Sequence, residues 1–178
     1  MVALLNLVRS CGYLALLQMA NGQPFRGGID VGVGAEVSRR GGEVDIYGPA
    51  LVRAYELESK TARYPRIAVG QGLPQTLSAV LAHEEDHTVS EIQKNAAGAI
   101  QEMLFQAPDG VLMLDFLGKA FKTRGAGSMD GQTVRKAHDF VAAQTQRWSA
   151  DTSKEGLKLY GRYRELATYF ERRMYLWS

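Results

Sequence analysis

The stretch His83-Glu84-Glu85-Asp86-His87 concentrates more potential chemistry than any other in the chain. On a helix, histidines four apart share a face, and His-Glu-x-x-His can hold zinc with the glutamate as general base. A third ligand would have to be Glu91, Glu102 or His138, none at a diagnostic spacing. Glu85 and Asp86 make the stretch acidic and water-seeking, whereas a zinc-hydrolase site wants a closed, partly apolar cleft. An exposed acidic helix face is the expected reading, and a zinc hydrolase the least favoured alternative. Gly27-Gly28 and Gly48-Pro49 lack the Gly-x-x-x-x-Gly-Lys pattern of a phosphate-cradling loop and read as backbone devices. Arg39-Arg40 read as loop decoration, and Arg172-Arg173 as cations favoured at a helix C-terminus. Asp45 and Tyr47 alternate onto one strand face. Taken alone they read as a solvated hairpin carboxylate and a half-buried strand aromatic.

These residues sit in a chain of 178, the size of one ordinary domain. The hydrophobic fraction is 46% and the charged fraction 22%, which excludes a disordered chain, a collagen-like chain and a disulfide scaffold. A formal charge of +2 with no basic block argues against a nucleic-acid partner. Cys11 is the sole cysteine, which rules out an internal disulfide or a multi-cysteine metal site and fits a reducing, cytoplasmic setting. Residues 1–20 are apolar, but the charge that a secretory signal carries at its start is missing. Asn6, Arg9 and Gln18 leave too little uninterrupted apolar length for a membrane span. The expected element is a helix buried against a sheet and ended by Asn21-Gly22.

A glycine-punctuated strand is expected over 24–33, a loop over 34–42 and a short strand over 43–47. Gly48-Pro49 opens a helix through Glu58, with Leu51, Ala54, Tyr55 and Glu58 on one face, and Pro65 stops it. A strand over 66–69 precedes one long polar helix from about Leu77 to Phe105. Pro108-Asp109-Gly110 supplies a turn before the strand 111–117. Residues 123–131 are glycine-rich, and helices over 132–149 and 154–177 finish the chain. The order predicts a single α+β domain over 1–178 with an all-helical tail.

Arg26-Gly27-Gly28-Ile29-Asp30-Val31-Gly32, followed by Asp45-Ile46-Tyr47-Gly48-Pro49-Ala50-Leu51-Val52, resembles the central block of class III nucleotide cyclases. The wording through Tyr55-Glu56-Leu57-Glu58 and Tyr64-Pro65-Arg66-Ile67 is similar to the bacterial pyrimidine cyclases of the Pycsar antiphage system. Leu114-Asp115-Phe116-Leu117 and Tyr163-Arg164-Glu165-Leu166-Ala167-Thr168-Tyr169 extend the likeness over most of the chain. The resemblance implies a cyclase-like, ferredoxin-like palm with flanking helices and a helical tail. It implies a homodimer with sites across the interface and a divalent cofactor, Mn²⁺ or Mg²⁺. The implied reaction converts UTP to 3′,5′-cyclic UMP and pyrophosphate, the product acting on a separate cyclic-nucleotide-sensing effector in phage defence. The alternatives are a cytidylate cyclase and a non-catalytic cyclase-like nucleotide sensor. By the same resemblance Asp45 reads the base; Tyr47, on the same strand face, is expected to stack on the base or donate its hydroxyl, and Arg53 is expected as the catalytic cation facing phosphate, with Arg26 or Lys119 assisting. The chain also departs from the family. Its two metal aspartates would fall before Met1, Val52 and Glu56 replace the asparagine and arginine of purine cyclases, and no obvious lysine matches the triphosphate-binding one.

Overall fold

Val2–Ala20 form helix α1 in the computed structural model, which describes residues 1–39, 41–82, 90–124 and 130–177. Leu5, Val8, Ala15, Leu16 and Met19 of α1 enter the core. The helix closes as expected of a glycine stop. Gly22 takes φ +75°, and the Gly22 and Gln23 amides donate to the carbonyls of Met19 and Gln18 at 3.0 and 2.8 Å, so the last turn is satisfied. By length and composition α1 could cross a membrane, contrary to the expectation that its polar residues leave it too short. Burial accounts for part of its apolar character: Val8 and Leu16 are wholly enclosed, whereas Val2, Leu7, Tyr13 and Leu14 are exposed. A Cβ at Gly12 would stand 2.5 Å from Phe121 Cε2, so a glycine is what lets α1 seat this closely.

The sheet is small and mixed. Strands β1 (Gly27–Ile29), β4 (Ile67–Val69), β6 (Leu112–Leu114) and β5 (Leu104–Gln106) lie in the order β1-β4-β6-β5. β1 and β4 are parallel, with Gly27 opposite Ile67 and Ile29 opposite Val69, and the remaining pairs are antiparallel. Parallel neighbours need a long crossover. Here it comprises the hairpin β2 (Ala35–Ser38) and β3 (Val44–Tyr47), helix α2 (Pro49–Glu56) and a wide π-type turn at Leu57–Thr61.

Half of the expected loop at 34–42 is therefore strand. Gly41 and Gly42, at φ +110° and +84°, make the tight reversal that lets β2 pair with β3. The single helix expected from Leu77 to Phe105 is likewise corrected. It divides into α3 (Gly72–Ala82) and α4 (Glu91–Glu102), the second opened by a reciprocal Ser90–Gln93 capping box. Leu104–Gln106 then leaves the helix because the Pro108-Asp109-Gly110 turn offers it a partner strand in β6. β1 is shorter than expected, and the short helix α5 (Lys119–Arg124) has no counterpart in the sequence pattern. Of the glycine-rich run at 123–131, residues 125–129 lie outside the described residues.

Helices α6 (Gly131–Ser149) and α7 (Lys154–Glu171) pack together, and α1 lies on α6. The expected last helix stops at Glu171, and a 3₁₀ turn at Met174–Leu176 ends the chain. Asp115 pins that tail. Tyr169 donates its hydroxyl to Asp115 Oδ1 at 2.8 Å and accepts the Leu117 amide at 3.1 Å. Arg173 Nε lies 2.6 Å from Asp115 Oδ1, its guanidinium stacked over the rings of Phe105 and Tyr169 at 4.3 and 4.6 Å. The indole of Trp177 donates to the Leu117 carbonyl at 2.8 Å.

Burial, reinforced by the nearby Asp115 carboxylate, pushes the Tyr169 hydroxyl well above its ordinary value. The fold thus favours the neutral phenol. Its contribution is complete below the unfolded tyrosine pKa of about 10 and is lost as pH rises above that. Tyr169→Phe strands the buried Leu117 amide and should cost about 1–3 kcal/mol in urea unfolding. The variant should also lose less stability than the wild type above about pH 10. Equal stability and parallel alkaline profiles would contradict this account of the tail.

Candidate functional site

Asp45 and Tyr47 lie on β3 of a hairpin that projects from the sheet as an arm, with neither strand burying a residue. Strand alternation puts both side chains on one face, as the sequence predicts, and Tyr47 donates its hydroxyl to Asp45 Oδ2 at 3.1 Å. Arg39, across the turn, forms an ion pair with the same carboxylate. The acceptor is therefore held at a defined angle from two sides while its side chain keeps 31% exposure.

The arm and the helix α2 that follows it are unusually apolar for exposed elements. Val37, Ile46, Tyr47, Leu51, Val52 and Tyr55 are all open to solvent, and no residue of α2 is buried. The helix face shared by Leu51 and Tyr55 thus points away from the chain's own core, although apolar helix faces ordinarily turn inward. A two-stranded hairpin is marginally stable on its own in water, and an apolar one is a surface built to be covered.

Arg53 is placed differently. Arg53 Nε is ion-paired with the fully buried carboxylate of Asp30, at the end of β1, and Nη2 donates to the Val31 carbonyl at 3.2 Å. Its side chain lines a cleft of about 960 Å³ between α2, the first turn of α3 and the ends of β1 and β4. No contact joins it to Asp45 or Tyr47 among the described residues. The other cations expected to assist are apart as well: Arg26 pairs with Glu58 at 2.9 Å, and Lys119 stands exposed at the start of α5. At the cleft rim Lys60 donates to Glu56 at 2.7 Å, which holds the Glu56 carboxyl below its ordinary value and the Lys60 amine above its own.

Sequence reasoning misses Asp30, Lys60, Gln71 and Gln75. The signal that could have found them is Gly70-Gln71-Gly72 directly after a buried strand, a spacing that marks close backbone approach. A Cβ on Gly70 would lie 2.5 Å from Asp30 Cγ, and one on Gly72 would lie 2.1 Å from the Val31 carbonyl oxygen.

A divalent ion of the Mn²⁺ or Mg²⁺ kind needs several converging oxygens. Among the described residues no group of three or more His, Cys, Asp or Glu side chains could hold one. Asp30 is engaged by Arg53 and by the Val31 amide at 2.9 Å, and Asp45 by Arg39 and Tyr47. The described residues therefore do not fit the metal that the resemblance implies. The His83-to-His87 stretch lies outside the described residues. No family model, curated protein or solved structure matches the chain.

Proposed function

We propose that this chain is a pyrimidine nucleotide cyclase module of the class III type, acting as a homodimer on UTP. The observation that carries the reading is the arm: an exposed apolar hairpin presenting an oriented carboxylate, joined to an apolar helix face that its own chain leaves bare. Further support comes from the element order, in which a glycine-rich strand, the arm, a proline-opened helix and a parallel strand follow one another. The occupant of the bare surface is a second copy, so that the arm of one protomer closes a site on its partner.

An ionised carboxylate only accepts hydrogen bonds. Asp45 would accept from the uracil imino N–H, while Tyr47 stacks on the ring or turns its hydroxyl toward a base carbonyl. A cytosine amino group offers a donor too, and CTP is the alternative substrate. In the reaction the ribose 3′-oxygen bonds to the α-phosphorus, the α–β phosphoanhydride bond breaks, pyrophosphate leaves, and the 3′-hydroxyl proton passes to solvent. The cyclic product would signal to a separate effector in phage defence.

One observation favours a second reading, nucleotide recognition without catalysis: the lack of a metal-holding group among the described residues. Incubating the chain with each of the four nucleoside triphosphates and Mn²⁺, with chromatography of products and parallel binding titrations, tests both. Cyclic UMP and pyrophosphate from UTP support the cyclase. Selective UTP or CTP binding without pyrophosphate supports the sensor. Failure to prefer a pyrimidine in either assay overturns the proposal.

A further inference from the structure

A second cavity, of about 420 Å³, lies between the end of β5, Tyr64 and the last two turns of α7, and it shares no lining residue with the cleft that holds Arg53. Its wall is apolar and aromatic, made by Tyr64, Phe105, Ala107, Pro108 and Tyr169. That wall is also pre-formed. Asp115 holds two nitrogens of Arg173, Nε at 2.6 Å and Nη2 at 3.0 Å, while the guanidinium stacks over Phe105 and Tyr169. Asp109 is held at 2.8 Å by the buried Arg66, which lies over the Tyr64 ring. Two charged groups reaching the cavity remain uncommitted. The exposed side chains of Glu165 and Arg172 have no ion pair or hydrogen bond among the described residues, and their neighbours Arg164 and Glu171 pair with each other at 3.7 Å.

We infer that this cavity binds a free apolar α-amino acid, its ammonium on Glu165, its carboxylate on Arg172 and its side chain against the aromatic wall. The inference goes beyond the cyclase reading and does not depend on it. α7 keeps helical geometry up to Arg172, so the two positions stand about 10.5 Å apart along the axis. The ammonium and carboxylate of one amino acid are about 3 Å apart, and an ion pair at each end adds about 2.8 Å, a span that two flexible side chains complete. A simple acid or amine would leave one of these charges unmet, and a small polar zwitterion would leave the apolar wall in water. Burial, opposed in lesser measure by Arg66, raises the Tyr64 hydroxyl above its ordinary value, and the Asp109 and Glu165 carboxylates add to the rise. The phenol therefore stays neutral, and the same negative field favours an ammonium at the Glu165 end. The volume falls within the roughly 300–1,000 Å³ of small-molecule sites.

Calorimetric titration of the full chain with L-phenylalanine tests this. The comparisons are 3-phenylpropionate and 2-phenylethylamine, which each lack one charge, and glycine, which lacks the apolar body. One L-phenylalanine per chain is expected, bound at least about fivefold tighter than any of the three. Glu165→Gln should weaken it about fivefold and leave 3-phenylpropionate unchanged. Arg172→Met should weaken it about fivefold and leave 2-phenylethylamine unchanged. Both side chains are exposed, so thermal midpoints should match the wild type. Absence of saturable binding at millimolar L-phenylalanine, equal affinity for any comparison compound, or unchanged binding in either folded variant overturns the inference. No nucleotide enters these titrations, so their failure beside intact pyrimidine selectivity would sink this inference alone.

Discussion

Asp45→Ala is expected to abolish most of the preference for pyrimidine over purine triphosphates, weakening UTP binding or conversion about 10- to 100-fold. The reasoning is electrostatic and geometric. Arg39 and the Tyr47 hydroxyl hold this carboxylate in place on the arm. A base N–H that has left water and finds no acceptor bears the cost of an unmade hydrogen bond. Asp45→Asn keeps the shape and adds a donor, so it should retain more binding than alanine and shift the UTP-to-CTP ratio. Competition titrations with UTP, CTP and ATP read both effects. The arm is exposed, so circular dichroism and thermal midpoint should match the wild type. Wild-type selectivity in a folded Asp45→Ala protein would remove the base-reading role.

The second large effect concerns the surface that carries that carboxylate. Under the dimeric proposal, the double variant Ile46→Glu, Val52→Glu should convert the protein to a monomer and abolish any activity that needs shared sites. Ile46 and Val52 are 60% and 58% exposed in the single chain, so charging them should leave its own fold unperturbed. Burying such a side chain contributes about 1.5–3 kcal/mol. A two-fold interface contains each substitution twice, with like charges facing one another. The dimer should therefore weaken by at least about a hundredfold. Sedimentation equilibrium of both proteins reads this directly. A wild-type chain that stays monomeric at tens of micromolar would end the dimeric proposal.

Much of the fold was legible because the signals were local. A left-handed glycine ended α1 at Gly22, a proline opened α2 at Pro49, and Pro108-Asp109-Gly110 made the turn into β6. The errors arose where partners distant in sequence decided the outcome. Leu104–Gln106 reads as the end of a helix until β6 is beside it, and Ala35–Ser38 reads as loop until Gly41-Gly42 folds β3 back against it. The face shared by Leu51 and Tyr55 was a correct periodicity, but periodicity cannot say whether the surface awaiting it lies in the same chain.

The α+β class, the single cysteine, the near-neutral charge and the shared face of Asp45 and Tyr47 follow from the residues alone, since alternation along a strand needs no partner. It took the packed fold to turn Arg53 onto Asp30 rather than toward the arm. That packing also decided that a cleft opens where two parallel strands end and that the arm stands uncovered. Each of these depends on where a residue more than twenty positions away comes to rest, as with Asp30 and Arg53, 23 apart in the chain. Local propensity carries no information about that distance.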